Sequence, residues 1–254
     1  TCTRAAIRLA ELWMSFNSNW MRSTQKTQWE VSGLEQLQRR QWYLVIANHQ
    51  SWADILILQH LLNRRIPMMK FFLKQELIWV PLIGVCWWAL DFPFMKRYSR
   101  EYLARHPEKR GQDLASTRRA CEKFKLAPTT VFNFLEGTRF TVAKQRQQKS
   151  PYRHLLKPKS GGLAFVLDAM GGYISQLVDI TIAYPDQPPP SFWQFLCGQV
   201  SRVQVTVVLR EIPPIFASGD YNDNPAVRTE VHEWVNDLWT EKDRLLSQVY
   251  QRGT

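Results

Sequence analysis

No stretch of this chain approaches the 18 or so apolar residues that a helix needs to cross a bilayer, so the sequence itself offers no transmembrane segment. Cysteine is scarce. Cys2, Cys86, Cys121 and Cys197 show no paired spacing, and no histidine lies near two of them, which excludes a zinc pattern and a disulfide framework. A reducing, cytoplasmic setting without a metal is the simpler reading. Internal repeats and low-complexity tracts are also missing, and 254 residues of ordinary globular composition suffice for one sizeable domain with room for an appended piece.

Negative charge is absent where positive charge concentrates. From Arg139 to Lys159 there are seven Lys or Arg and no Asp or Glu; from Lys96 to Lys125 ten Lys or Arg stand against four acidic residues. These two stretches hold more than the whole formal excess of +11, and the rest is close to neutral. Charge so localised argues for an anionic partner. At an anionic leaflet each basic residue is worth about 1 kcal/mol before screening. Nucleic acid is the rival partner, but no nucleic-acid module appears and the tryptophan-rich run lies away from the basic ones, so none is expected.

The rest of the chain is organised around Trp42 to Leu58, WYLVIANHQSWADILIL. Trp42 to Ala47 is a β-branched and aromatic run of strand length, and Ser51 followed by Asp54 three positions on is a helix-start signature. Within one helix a spacing of five rotates two side chains by about 140°, so His49 and Asp54 meet only if His49 lies outside the helix and bends back. That geometry holds the imidazole in one tautomer and favours its protonated form, as a general base requires. A satisfied structural histidine beside a capping aspartate is the plainer alternative. Thr129 to Arg139, TTVFNFLEGTR, is a second strand-like run whose closing turn offers an anion a guanidinium, a hydroxyl and backbone amides. Two strands that both end in polar chemistry suggest one shared site.

These segments resemble the glycerolipid acyltransferases typified by bacterial lysophosphatidate acyltransferase (PlsC). His49 to Asp54 matches the family's H-x-x-x-x-D motif and Glu136 to Arg139 its E-G-T-R motif. Lys74, Pro81 and Gly84 resemble its K-x-x-L-x-x-x-P-x-x-G segment, Phe94 to Arg97 its F-x-x-R motif, and Asp179 to Pro185 its late strand. The resemblance runs from about Trp29 to Pro185, and its wording looks most like the YihG branch of bacterial acyltransferases. One departure is Leu135, where the common form has proline.

The resemblance implies acyl transfer from acyl-CoA or acyl carrier protein, with no other cofactor and no metal, to the sn-2 hydroxyl of lysophosphatidic acid. Another lysophospholipid as acceptor, or a non-catalytic lipid-binding protein, is the alternative. His49 and Asp54 would be catalytic; Arg97, Glu136, Gly137, Thr138 and Arg139 would serve the acceptor's phosphate, Glu136 by orienting the turn or an arginine. Asn48, Lys74 and Lys159 are further candidates for substrate contact. It also implies partnership with an anionic membrane surface at the cytoplasmic face of a bacterial inner membrane, and an upstream anchor preceding an amphipathic helix in residues 1–28, with the acyltransferase domain over 29–254.

The expected fold is α/β: a twisted, mainly parallel sheet with helices on both faces and the motif turns at one edge. Ala5 to Met21 reads as a helix with Ile7, Leu9, Leu12, Trp13, Phe16 and Trp20 on its apolar stripe. Ile66 to Lys74 reads as one strand, and His106 to Gly111 as the turn between two short helices. In the run Ile78 to Phe94, Trp79, Trp87 and Trp88 are residues favoured at a lipid interface; core packing is the plainer reading, since aromatic clusters usually pack inward, and apolar walls for an acyl-chain tunnel are the functional one. Leu177 to Tyr184 and Val203 to Leu209 read as strands, and Asn224 and Pro225 open a long helix. Lys157 to Gly162 turns into a helix whose glycine pair suits a generic loop or a phosphate.

Overall fold

The computed structural model describes residues 2–95, 105–106, 121–217, 221 and 224–252, and of Cys2, Lys74, Ile83, Met95 and Ala217 the backbone alone. In chain order the strands are β1 (Gln28–Ser32), β2 (Tyr43–Ala47), β3 (Met69–Phe71), β4 (Leu73–Lys74), β5 (Phe94–Met95), β6 (Thr130–Phe134), β7 (Gln176–Ala183) and β8 (Arg202–Glu211). The helices are α1 (Cys2–Thr24), α2 (Ala53–Leu62), α3 (Ile83–Ala89), α4 (Val142–Gln147), α5 (Ser160–Met170), α6 (Phe192–Leu196) and α7 (Pro225–Arg252).

Six strands form one sheet in the order β1-β8-β7-β2-β6-β3. Every neighbouring pair is parallel except β7 and β8. β2 is central and buried at all five positions, which is why YLVIA is continuously apolar instead of alternating. Its residues divide by parity. Leu44 and Ile46 enter the core beneath α5 and α7, while Tyr43, Val45 and Ala47 enter the core that α2 closes. Helices thus cover both faces, as expected for an α/β unit.

Register brings the motif turns together. Ala47 pairs with Phe134 at the ends of β2 and β6, so His49 and Glu136 each lie two residues beyond the last pair, side by side. Asn48 extends the pairing with its side chain: Oδ1 accepts from the Ile182 N–H at 2.8 Å and Nδ2 donates to its carbonyl at 2.9 Å.

Two expectations need correction. The single strand over Ile66 to Lys74 is two short strands in different sheets, because after Phe71 the chain leaves β6 and Leu73 pairs with Phe94. The tryptophan-rich run is not core: Trp79 is 84% exposed and Trp88 66%, and nothing among the described residues covers them. α1 behaves alike. It packs on α2, with Met21 in the core that α2 closes and Met14 buried, and leaves Leu9, Leu12, Trp13 and Phe16 exposed. The two expected helices about His106 to Gly111 fall largely outside the described residues. Among the described residues no helix is long and apolar enough to cross a membrane.

Candidate active site

His49 emerges from β2 into a turn before α2 begins, and Asp54 stands in the first turn of that helix. Nδ1 of His49 lies 2.9 Å from Asp54 Oδ2. The same oxygen accepts the N–H of Gln50 at 2.7 Å and of Ser51 at 2.8 Å, and Oδ1 accepts the Tyr184 hydroxyl at 2.6 Å. A fully buried carboxylate therefore receives four polar contacts, the arrangement that burial of such a group demands. With Nδ1–H donated to Asp54, Nε2 carries the free lone pair. The ring is fixed further by stacking on Phe134, centroid to centroid 3.9 Å. Ser51 is occupied as a cap: its hydroxyl donates to the Pro190 carbonyl and accepts from the Ala53 N–H.

The second turn grips the first by its backbone. Glu136 Oε1 accepts the His49 N–H at 2.9 Å, Oε2 accepts that of Leu156 at 2.9 Å, and the His49 carbonyl accepts the Phe140 N–H at 2.7 Å. Burial pushes the Glu136 carboxyl up to about 7, with its two N–H donors pulling the other way. Gly137 takes φ +67°, and a Cβ there would sit 3.0 Å from Lys159 Nζ, so glycine serves both the turn and the approach of that lysine. Leu135, the departure from the common form, buries its side chain in the core while its carbonyl accepts the Lys159 N–H at 2.8 Å.

A cavity of about 1650 Å³ opens beside His49. One end is polar, where Gly137, Thr138, Arg139, Lys159 and the α5 glycines Gly161 and Gly162 contribute. The remainder is apolar. From His49 a wall of rings descends through Phe134, Phe132, Phe71 and Phe92, each 3.9–6.1 Å from the next. Leu9 and Trp13 of α1 and Leu82, Cys86 and Trp87 around α3 complete it.

Of the residues singled out from sequence, His49, Asp54, Glu136, Gly137, Thr138, Arg139 and Lys159 come together here. Asn48 does not face the cavity; it is fully buried, and its amide is spent on Ile182. Arg97 and the side chain of Lys74 lie outside the described residues. Several contributors escaped sequence reading. Lys144 Nζ donates to Thr138 Oγ1 at 2.7 Å and to the Arg139 carbonyl at 3.0 Å. The Arg139 guanidinium lies 5.0 Å from the Trp52 ring centroid. Tyr184 closes the far side of Asp54, 130 residues away in sequence. Lys144 had a signal in the acid-free basic run; Trp52 and Tyr184 had none beyond their positions within matched motifs.

Residues 28–185 match the Acyltransferase family. The chain is 27% identical over 222 residues to mouse 1-acyl-sn-glycerol-3-phosphate acyltransferase gamma, covering 83% of this chain and 54% of that protein. It is 26% identical over 216 residues to 1-acyl-sn-glycerol-3-phosphate acyltransferase 2 of Brassica oleracea, covering 81% and 51%. The chain thus spans about half the length of the curated relatives it matches. The crystal structure of the 1-acyl-sn-glycerophosphate (LPA) acyltransferase PlsC from Thermotoga maritima superposes with a TM-score of 0.52 at 20% identity, over 93% of this chain and 80% of that one.

Proposed function

This chain belongs to the acyltransferase family, and from that premise we propose that it transfers a fatty acyl group from a thioester, acyl-CoA or acyl carrier protein, to the sn-2 hydroxyl of lysophosphatidic acid. One observation carries the reading: the unpaired nitrogen of a carboxylate-held imidazole belongs to a cavity that is cationic at one end and apolar along the rest. A phosphate-bearing head with an acyl tail has that polarity.

His49 Nε2 takes the acceptor's hydroxyl proton as the oxygen attacks the thioester carbonyl, and Asp54 steadies the imidazolium. The tetrahedral intermediate then expels the thiolate, which takes the proton from His49 and leaves it neutral. The new ester bond replaces the thioester bond, and no acyl-enzyme is formed. Arg139, Lys159 and Thr138, with Arg97, hold the acceptor's phosphate, since guanidinium forks suit a dianion. The phenylalanine wall receives the acyl chain. The acceptor is a membrane lipid, and the exposed Leu9 and Trp13 of α1 and Leu82 before α3 line the same cavity, so α1 and α3 serve as the docking face on an anionic bilayer.

The test is turnover of purified protein with acyl-CoA and lysophosphatidic acid in liposomes. His49→Ala loses about 10² to 10⁴ in rate with its fold intact. Wild-type turnover no greater than that of His49→Ala would sink the enzyme reading in favour of lipid binding alone.

A further inference from the structure

The long last helix begins forty residues beyond the end of the family match, yet it reaches the His49 turn from two sides. Trp239, Lys242, Asp243, Leu246 and Tyr250 fall at intervals of three, one, three and four, one face of α7 over about three turns. Lys242 fastens that face to β7: its fully buried ammonium donates to Asp179 Oδ1, to the Ile180 carbonyl at 2.7 Å and to Thr181 Oγ1 at 3.1 Å. A helix pinned at its middle by a buried ion pair has its register set, because shifting it would strand a charge.

One turn before the pin and one residue after it, α7 holds the irregular segment 153–156. Asp243 accepts the N–H groups of Arg153 at 2.9 Å and His154 at 2.8 Å, and Trp239 Nε1 donates to the Leu156 carbonyl at 3.1 Å. Leu156 in turn donates its N–H to Glu136 Oε2, whose other oxygen holds the His49 N–H. Two turns further on, the Tyr250 hydroxyl donates to Gln50 Oε1 at 3.1 Å, and Gln50 gives its own N–H to Asp54. His49 lies two residues beyond the last strand pair at Ala47; its backbone is held by the Phe140 N–H on its carbonyl and by the Glu136 carboxylate on its N–H, and that carboxylate is held in turn by a segment that Ser150 and α7 both fasten.

We propose that α7 is a positioning element for His49, acting through Trp239, Asp243, Leu156 and Glu136 on one side and through Tyr250 and Gln50 on the other. The inference rests on the reading of His49 as general base, and two variants test it. Tyr250→Phe removes one hydroxyl, and Asp243→Asn turns one of two acceptors into a donor. Hydrogen exchange is followed at the amides of His49 and Gln50 and, as the internal reference, at those of β2. Turnover of acyl-CoA with lysophosphatidic acid is measured for each variant in the wild-type and His49→Ala backgrounds.

Each variant speeds exchange at His49 and Gln50 several-fold and leaves β2 unchanged. Each lowers kcat roughly three- to ten-fold, the range one hydrogen bond supports, with KM values within about two-fold. The loss disappears in the His49→Ala background, because residues that act as a unit are not additive. Faster exchange spread evenly over β2, or an equal fold-loss in both backgrounds, would make α7 a structural brace alone and overturn the proposal. A wild-type protein without turnover would instead overturn the general-base reading, and the exchange comparison would still decide whether α7 holds the turn.

Discussion

Arg139 has no carboxylate partner among the described residues, and its guanidinium rests against the indole of Trp52. An unpaired cation at the polar end of the cavity is free to take an anion without first breaking an ion pair. Arg139→Ala should raise KM for lysophosphatidic acid by about 1.5 to 3 kcal/mol, the worth of a charged hydrogen bond, and change KM for the thioester little; Arg139→Lys rescues little. Trp52→Leu should show the same selectivity at about 0.5 to 1 kcal/mol, since it removes only the surface on which the guanidinium lies. Equal losses toward both substrates would make Arg139 a support for its turn. Glu136 gives a second measurement. Its carboxyl titrates near 7 in the fold against an ordinary value of 4.5. Below about 4.5 both folded and unfolded chains hold the proton, and between there and 7 the folded chain alone retains it, so stability falls as pH rises through that window and is level above it. Urea midpoints compared between pH 5 and pH 8 should show this fall in the wild type and a smaller one in Glu136→Gln. An equal fall in both would assign it to other groups.

Helices α1 and α3 present their apolar side chains to solvent beside the cavity, and this pairing of elements makes its own prediction. Trp13→Ser combined with Trp88→Ser should weaken cosedimentation with anionic liposomes most at high salt, where a Debye length of about 3 Å removes the contribution of the basic stretches and leaves insertion. The wild type should retain part of its binding there and show little affinity for neutral liposomes. No binding to anionic liposomes at any salt concentration would mean that these helices are not the docking face. At the same scale, β2, β6 and the turns after them were legible in the sequence because a buried parallel strand must be continuously apolar and the polar residues that follow it stand out. The core reading of Ile78 to Phe94 misled, because tryptophans turned to solvent and tryptophans turned to a core have the same composition, whereas Leu82, Cys86, Trp87 and Phe92 of that run line the cavity. Asn48 misled for a related reason. Its side chain imitates a peptide group toward Ile182, and nothing in the motif distinguishes that from a substrate contact.

Across the whole molecule, the α/β class followed from strands alternating with helices, whereas the pairing of β1 with β8 and the reversal between β8 and β7 did not, since strand neighbours are chosen by tertiary contacts. Tyr184 and the α7 side chains that reach the His49 turn were invisible for the same reason. The sheet order also sets a timetable. β2 finds β6 only after residue 134 exists and β7 only after residue 183, and β1 finds β8 after residue 211. At roughly 5 to 20 residues per second of synthesis, about 8 to 33 s separate the appearance of Ala47 from that of Glu211. β2 gains β6 about halfway through that interval and β7 before its end, while β1 stays unpaired until β8 is complete. A pause in translation between β2 and β7 would prolong the interval in which the future core is open to other chains.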